Sequence, residues 1–187
     1  MDWAHEAMGG LTGVINNAGI YPMVGLLDMS DEDWRAVVDA NLTSVFVMTQ
    51  VAARAMIEAK TRGAIVNISS LASIAGSFQT GYELSKAAMN RMTESIALAN
   101  AGRGIRCNAV LPGLMHTPLL YQNDDVVMIN YGSPEKMVAE RDAQSPTGKM
   151  GTGWDIANAA VFLASDEANY INGVLLPVDG GLICKMA

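Results

Sequence analysis

The sequence predicts one α/β domain built on an open, largely parallel sheet with helices on both faces. Three observations carry this expectation. Short apolar runs at residues 11–16, 63–68 and 105–111, the last apolar except for Arg106 and Asn108, read as strands, and the little alternation of the first fits one covered on both faces of a parallel sheet. Longer stretches at helical period separate them, from Ser30 to about Lys60 and from Tyr82 to about Asn100. The 187 residues suit a single domain with a real core.

Composition narrows the function classes. With 50% apolar and 17% charged residues, the chain has the make-up of a folded globular domain. A formal charge of -7 opposes nucleic acid or an anionic membrane as main partner, since both require a positive field. Cys107 and Cys184 have no metal-ligand or redox spacing, and the two His are isolated, so no metal site is expected. Cys107 reads as a small buried residue, and the 13 Met as adaptable packing. No apolar run of the roughly 18 to 20 residues that spans a bilayer is expected, and Met1 to Glu6 is acidic where a signal peptide is basic. The expected location is the cytoplasm.

Taken in order, residues 2–8 read as the end of a helix that Gly9-Gly10 terminates. The strand at 11–16 leads into Asn17-Ala18-Gly19; as a first strand it would be a bare edge, which implies a preceding segment. Ser30 before Asp31-Glu32-Asp33 is a helix start, a capping hydroxyl followed by carboxylates over the positive end of the dipole. Trp34, Val37, Val38, Leu42, Val45 and Phe46 form its apolar stripe, and Asn41 falls on the same stripe. A buried amide without partners costs roughly 1 to 3 kcal/mol, so Asn41 is expected to kink the helix or bond to backbone.

Thr61-Arg62-Gly63 turns the chain into the strand that ends at Ser69-Ser70. A loop rich in Ala, Gly and Ser follows, in which Ser73 and Ser77 bond to backbone. In the helix from Tyr82, Lys86 lies on the buried side and needs a partner or a ligand. The strand at 105–111 stops at Pro112-Gly113. Residues 118–153 are the least patterned and are expected to form a flexible substrate loop. There, Leu119, Leu120, Tyr121, Val126, Val127 and Met128 would form an apolar substrate wall or an oligomer contact. A short helix at 154–164 and a strand at 173–178, placed at a sheet edge by Pro177, close the chain.

Chemistry centres on Tyr82 and Lys86, four apart and therefore on one helix face. An ammonium beside a phenol favours the phenolate and would lower its pKa from about 10, which suits proton exchange near neutral pH. Ser70 would steady the oxygen that gains or loses the proton. The bland alternative is a core-edge phenol beside a solvated amine. Against it, Ser69-Ser70 sit at the carboxyl end of a strand, where open α/β sheets place ligand sites.

Taken together, Asn16-Asn17-Ala18-Gly19, Asn67-Ile68-Ser69-Ser70, Tyr82-x-x-x-Lys86, Pro112-Gly113 through Thr117, Asn172-Gly173 and Val178-Asp179-Gly180-Gly181 resemble the short-chain dehydrogenase/reductase family. The resemblance runs from about Leu11 to the end and implies a Rossmann-like fold. It also implies NAD or NADP as cofactor and hydride transfer to or from a small-molecule secondary alcohol or ketone. In that reading Tyr82 exchanges the proton, Lys86 tunes it and holds the ribose, and Ser70 bonds the substrate oxygen. The loop after the serines is one residue shorter than is common, which leaves Ser69 as an alternative.

Asn41, within Asp39-Ala40-Asn41-Leu42, matches the Asn that bends this helix and holds a water beside the lysine. Asn17, Ala18, Gly19, Pro112, Gly113 and Thr117 are the remaining cofactor contacts so implied, and homo-oligomers, dimers or tetramers, are expected.

The sequence departs from the family in having no Gly-x-Gly-x-x-Gly or Thr-Gly-x-x-x-Gly-x-Gly turn. That predicts an N-terminally truncated domain with weak cofactor affinity. It keeps open a second class of function, a non-catalytic module that pairs through the helix from Tyr82. A hydrolase is disfavoured because no Cys-His or Ser-His-Asp order occurs, and a dehalogenase because Lys86 is not the Arg that such relatives carry.

Overall fold

The computed structural model describes residues 6–121 and 124–186. Most of the helix expected at residues 2–8, and the side chain of Val126, lie outside the described residues. Four strands form one parallel sheet in the order β1 (Gly13–Asn16), β2 (Gly63–Ile68), β3 (Ile105–Pro112) and β6 (Leu175–Val178). A two-residue parallel ribbon, β4 (Met115–His116) with β5 (Gly151–Thr152), lies apart from it.

Helices cover both faces of the sheet. On one face α1 (Asp31–Val38), α2 (Ser44–Glu58) and α3 (Thr80–Asn100) enclose a core of Ala52, Met56, Ile65, Ala97, Ile105 and Cys107. On the other, α6 (Gly153–Ala164) closes over Val66, Ile68, Val110, Ala160 and Leu163. Every residue of β2 is buried, as a central strand requires. The expected burial of the first strand on both faces does not hold: β1 lies at an edge of the described sheet and Ile15 is 46% exposed. Pro177 lies in β6, at the other edge.

α1 and α2 are one helix interrupted by a π turn at Asp39–Thr43, and the buried Asn41 sits in that turn. The extra residue re-aims the stripe, so Val37, Asn41, Val45, Thr49, Ala52 and Met56 face inward. Trp34 and Phe46, expected on the stripe, are left exposed. By length and composition the helix Asp31–Glu58 is apolar enough to cross a bilayer, contrary to the sequence expectation. In the fold its inward stripe packs on the sheet.

Residues 118–153 also differ from expectation. They hold α4 (Asp124–Tyr131) and α5 (Pro134–Gln144), and the β4–β5 ribbon flanks the segment. The start signals of α5 are local: Ser133 Oγ accepts from Lys136 N, Pro134 opens the first turn and Glu135 lies over the dipole. The apolar stripe is what it lacks, with Met137 its buried residue.

Candidate active site

The site forms where the carboxyl ends of β1, β2 and β3 meet the first turns of α3. β2 continues into Ser69, whose N–H donates to the Val110 carbonyl at 2.8 Å and so extends the ladder with β3. Because side chains alternate along a strand, Ser69 and Ser70 diverge. The Ser69 hydroxyl is buried and donates to the Lys86 backbone carbonyl at 3.2 Å, pinning strand end to helix. Ser70, in extended conformation, caps the 3-10 turn Leu71–Ser73 by accepting from Ala72 N at 3.1 Å, and its hydroxyl faces the Tyr82 phenol and acts to lower its pKa.

Tyr82 is half-buried in the first turn of α3. The ring of Tyr21, from the loop after β1, packs edge-on against it with centroids 4.7 Å apart and planes at 84°. Gln79 Nε2 donates to the Tyr21 oxygen at 2.5 Å. One turn after Tyr82, Lys86 is 4% exposed; its Nζ donates to the Ile68 carbonyl at 2.8 Å and lies 5.7 Å from the Tyr82 ring centroid.

Electrostatics here differ from the sequence expectation. Burial pushes the Tyr82 phenol up to about 12, against the lowering effect of the Ser70 hydrogen bond and with a smaller push from Tyr21. Burial likewise brings Lys86 down to about 8. Lys86 therefore does not make this phenol acidic in the protein alone. Desolvation is the largest cause of the shift, and the ammonium, held on the Ile68 carbonyl, is not among the groups that act on the phenol.

Asn41 fastens the loop that carries Tyr21. Its Oδ1 accepts from Ile20 N at 2.8 Å, while Nδ2 donates to the Ile20 carbonyl at 2.9 Å and to Ser85 Oγ at 3.3 Å. Both amide hydrogens are thereby engaged, and the side chain acts as a clamp between the π turn, the loop and α3. Behind it runs a buried polar chain: Asn16 Nδ2 donates to Thr49 Oγ1 at 3.1 Å and to Asn67 Oδ1 at 2.8 Å, and Asn67 Nδ2 donates to Thr93 Oγ1 at 2.8 Å. These amides face one another because the β1–β2 register pairs Asn16 with Asn67.

A cavity of about 880 Å³ opens over these groups. Asn17, Gly19, Ser70, Tyr82, Lys86 and Thr117 line it, together with Pro112 and Gly113. Ala18 and Asn41, both expected at the site, are not on its wall. The expected apolar wall is divided: Leu119 and Leu120 line the cavity, Val127 is buried in the protein and Met128 is exposed. Tyr121 is instead hydrogen-bonded to His116 at 2.6 Å. Ser73 and Ser77 bond to backbone as expected: Ser73 donates to the Ser70 carbonyl, and Ser77 Oγ accepts from Gln79 N at 3.2 Å while also donating to the Glu83 carboxylate at 2.8 Å.

Glycine is required at two places on the wall. A Cβ on Gly19 would lie 2.9 Å from Asn41 Oδ1, and one on Gly113 would lie 2.8 Å from Asp179 Cα. Two lining residues had no signal in the sequence, Tyr21 and Arg141; neither belongs to a spaced pair.

Comparison with known proteins fits this geometry. A profile described as enoyl-(acyl carrier protein) reductase matches residues 1–183. A crystal structure of an oxidoreductase of the short-chain dehydrogenase/reductase family from Burkholderia thailandensis superposes with a TM-score of 0.85 at 31% identity, over 97% of this chain and 68% of that one. The chain belongs to the short-chain dehydrogenase/reductase family. A crystal structure from Agrobacterium tumefaciens with bound NADP, described as that of a 2-deoxy-d-gluconate 3-dehydrogenase, superposes with a TM-score of 0.82 at 32% identity, covering 95% of this chain and 69% of that one. The (3R)-3-hydroxyacyl-CoA dehydrogenase of Rattus norvegicus is 40% identical over 170 residues, 90% of this chain. The chain spans 62% of the length of that curated relative.

Proposed function

We propose that this chain carries the proton-transfer site of an NAD(P)-dependent oxidoreductase that interconverts a secondary alcohol and a ketone. The observation that carries the reading is the convergence of Ser70, Tyr82 and Lys86 on one cavity at the carboxyl ends of parallel strands.

The residues present fit a nicotinamide and its ribose. Lys86 uses one donor on Ile68 and has no acidic partner among the described residues, which leaves ammonium hydrogens for sugar hydroxyls. Gly19 offers bare backbone where a side chain would collide, and Asn17, Pro112, Gly113 and Thr117 complete that wall. The sequence holds no glycine-rich turn, so these residues offer no diphosphate cradle of that kind. When bound, NAD(P) supplies or takes up the hydride at the reacting carbon.

The chain's own residues handle the proton. At neutral pH Tyr82 is a phenol, suited to donate to the carbonyl oxygen of a ketone while Ser70 holds the same oxygen. In the oxidative direction Tyr82 must accept the alcohol proton, and a nearby cation eases that step by favouring the phenolate. Tyr21 and Asn41 keep the phenol and the β1 loop in place. A water held beside Lys86 would have to use groups other than the Asn41 amide hydrogens, which are already engaged.

The test is reduction of a panel of small ketones with NADH and NADPH, followed by absorbance. Turnover by the wild type and none by a folded Tyr82→Phe supports the reading; equal turnover by the variant contradicts it.

A second reading, a module that acts through pairing with further copies or relatives, draws on exposed apolar side chains. Phe46, Val47 and Met48 on α2 and Leu84 and Leu98 on α3 are all exposed. Dimers or tetramers in sedimentation, without turnover, favour it; dimers with turnover fit a homo-oligomeric enzyme.

A further inference from the structure

Inside this acidic chain, the cavity is lined, among the described residues, by cations and by no carboxylate. Its charged lining residues are Lys86, Arg141 and Lys185, although the sequence holds 19 Asp and Glu and carries a net charge of -7. Lys86 is accounted for by the Ile68 carbonyl, and Lys185 Nζ donates to the Gln144 carbonyl at 3.0 Å. Arg141 is different. It stands one turn after the buried Met137 on α5, so the helix face that packs inward also carries the guanidinium toward the cavity.

Its Nε is buried and has no hydrogen-bond partner. Among the described residues Arg141 forms no ion pair, those present being Arg35–Asp31 and Arg91–Glu94 on the surface. The neighbouring Asp142 carboxylate is committed to Met150 N at 2.7 Å. A buried guanidinium nitrogen without a partner is unfavourable, and proteins keep such groups where a ligand completes them. The guanidinium also acts electrostatically on Tyr21, whose ring packs on Tyr82, so its charge is felt on the proton-transfer side of the cavity.

We propose that Arg141 selects the substrate by pairing with a carboxylate carried on the alcohol or ketone, so that the cavity takes hydroxy and keto acids ahead of their neutral counterparts. A forked guanidinium matches a carboxylate through two parallel donors, which fixes orientation as well as affinity. Held in this way, the acid presents its carbinol carbon to Tyr82 while the apolar Leu119 and Leu120 cover the chain between. The inference rests on the hydride-transfer reading above. A phosphate of the cofactor is the other oxyanion that a guanidinium could take, and the test separates the two.

The probes are hydroxy acids of four, five and six carbons, each with its hydroxyl on the penultimate carbon, and their methyl esters. Wild type, Arg141→Gln and Arg141→Lys are compared by NAD(P)H absorbance and by calorimetric titration of each probe, with circular dichroism to confirm folding. For at least one chain length the wild type should favour acid over ester by about tenfold or more in kcat/KM. Arg141→Gln should bring that ratio near unity through a higher KM for the acid, and Arg141→Lys should restore part of it. Equal use of acid and ester by the wild type overturns the proposal. So does a loss in Arg141→Gln that appears in the KM of NADH or NADPH, which would assign the guanidinium to a cofactor phosphate. If no probe is turned over, the oxidoreductase reading fails and calorimetry still decides: acid binding lost in Arg141→Gln upholds the anion site, and no acid binding by the wild type overturns it.

Discussion

The Lys86 ammonium is seated on the Ile68 carbonyl at 2.8 Å, at the last residue of the central strand β2. A buried cation is thus held by a strand carbonyl, with no carboxylate partner among the described residues, and burial brings its pKa from 10.5 to about 8. Between those two values the unfolded chain binds the proton that the folded chain has released, so stability rises with pH across that window. The full penalty, on the order of 3 kcal/mol, is present below about pH 8. Tyr82 acts in the opposite sense: raised from 10 to about 12, it contributes stability below pH 10 that is lost as pH climbs through 12. Urea denaturation should therefore show a midpoint that climbs from about pH 7.5 to 10 and falls beyond. Lys86→Met should flatten the climb; a wild-type midpoint that does not move would contradict the assignment.

The two adjacent serines should separate by readout. Ser69→Ala removes a buried bond to the Lys86 carbonyl and should cost about 1 kcal/mol of stability. Ser70→Ala removes the partner of the Tyr82 hydroxyl and should lower kcat by about 10-fold to 1000-fold. Thermal melts and steady-state kinetics on both variants check this, and an unchanged kcat for Ser70→Ala would return the role to Ser69.

Gly113 abuts the turn after β6. A Cβ there would lie 2.6 Å from Asp179 Cβ, and Asp179 cannot withdraw freely because its carboxylate accepts from Gly181 N and Ile183 N. Gly113→Ala should cost about 1 to 3 kcal/mol, seen as a lower melting temperature. Wild-type stability in that variant would mean that the turn gives way.

Across the β1–β2 pair, Asn67 holds Asn16 and Thr93 at 2.8 Å each. Asn67→Ala strands both partners in the core and should cost about 1 to 3 kcal/mol in chemical denaturation. In Asn16→Ala/Asn67→Ala the combined loss should be smaller than the sum of the single losses, and strict additivity would deny the coupling.

Much of the architecture was legible because it rests on local signals. Mostly apolar runs marked β2 and β3 despite Asn67, Arg106 and Asn108, Ser30 with three carboxylates marked α1, and the four-residue spacing placed Tyr82 and Lys86 on one face. The sign of the Tyr82 shift was not legible, since it depends on burial against Tyr21, brought from the loop after β1. Ser69 and Ser70 could not be told apart by type, because the β2–β3 ladder decides which hydroxyl meets the Lys86 carbonyl and which faces the Tyr82 phenol. α5 was missed because its caps are sound while its inward face holds little beyond Met137, leaving no periodic stripe to read. Arg141 escaped for the same reason: one of two cations on a polar helix, it reveals a role only when the fold sets it against a cavity.

The most direct measurement is a fluorescence titration of NADH and NADPH with the purified chain and with Lys86→Met. A site that holds a nicotinamide ribose beside Tyr82 predicts a saturable signal for at least one of the two with the wild type, weakened in the variant. No change up to millimolar cofactor with the folded wild-type chain would contradict it.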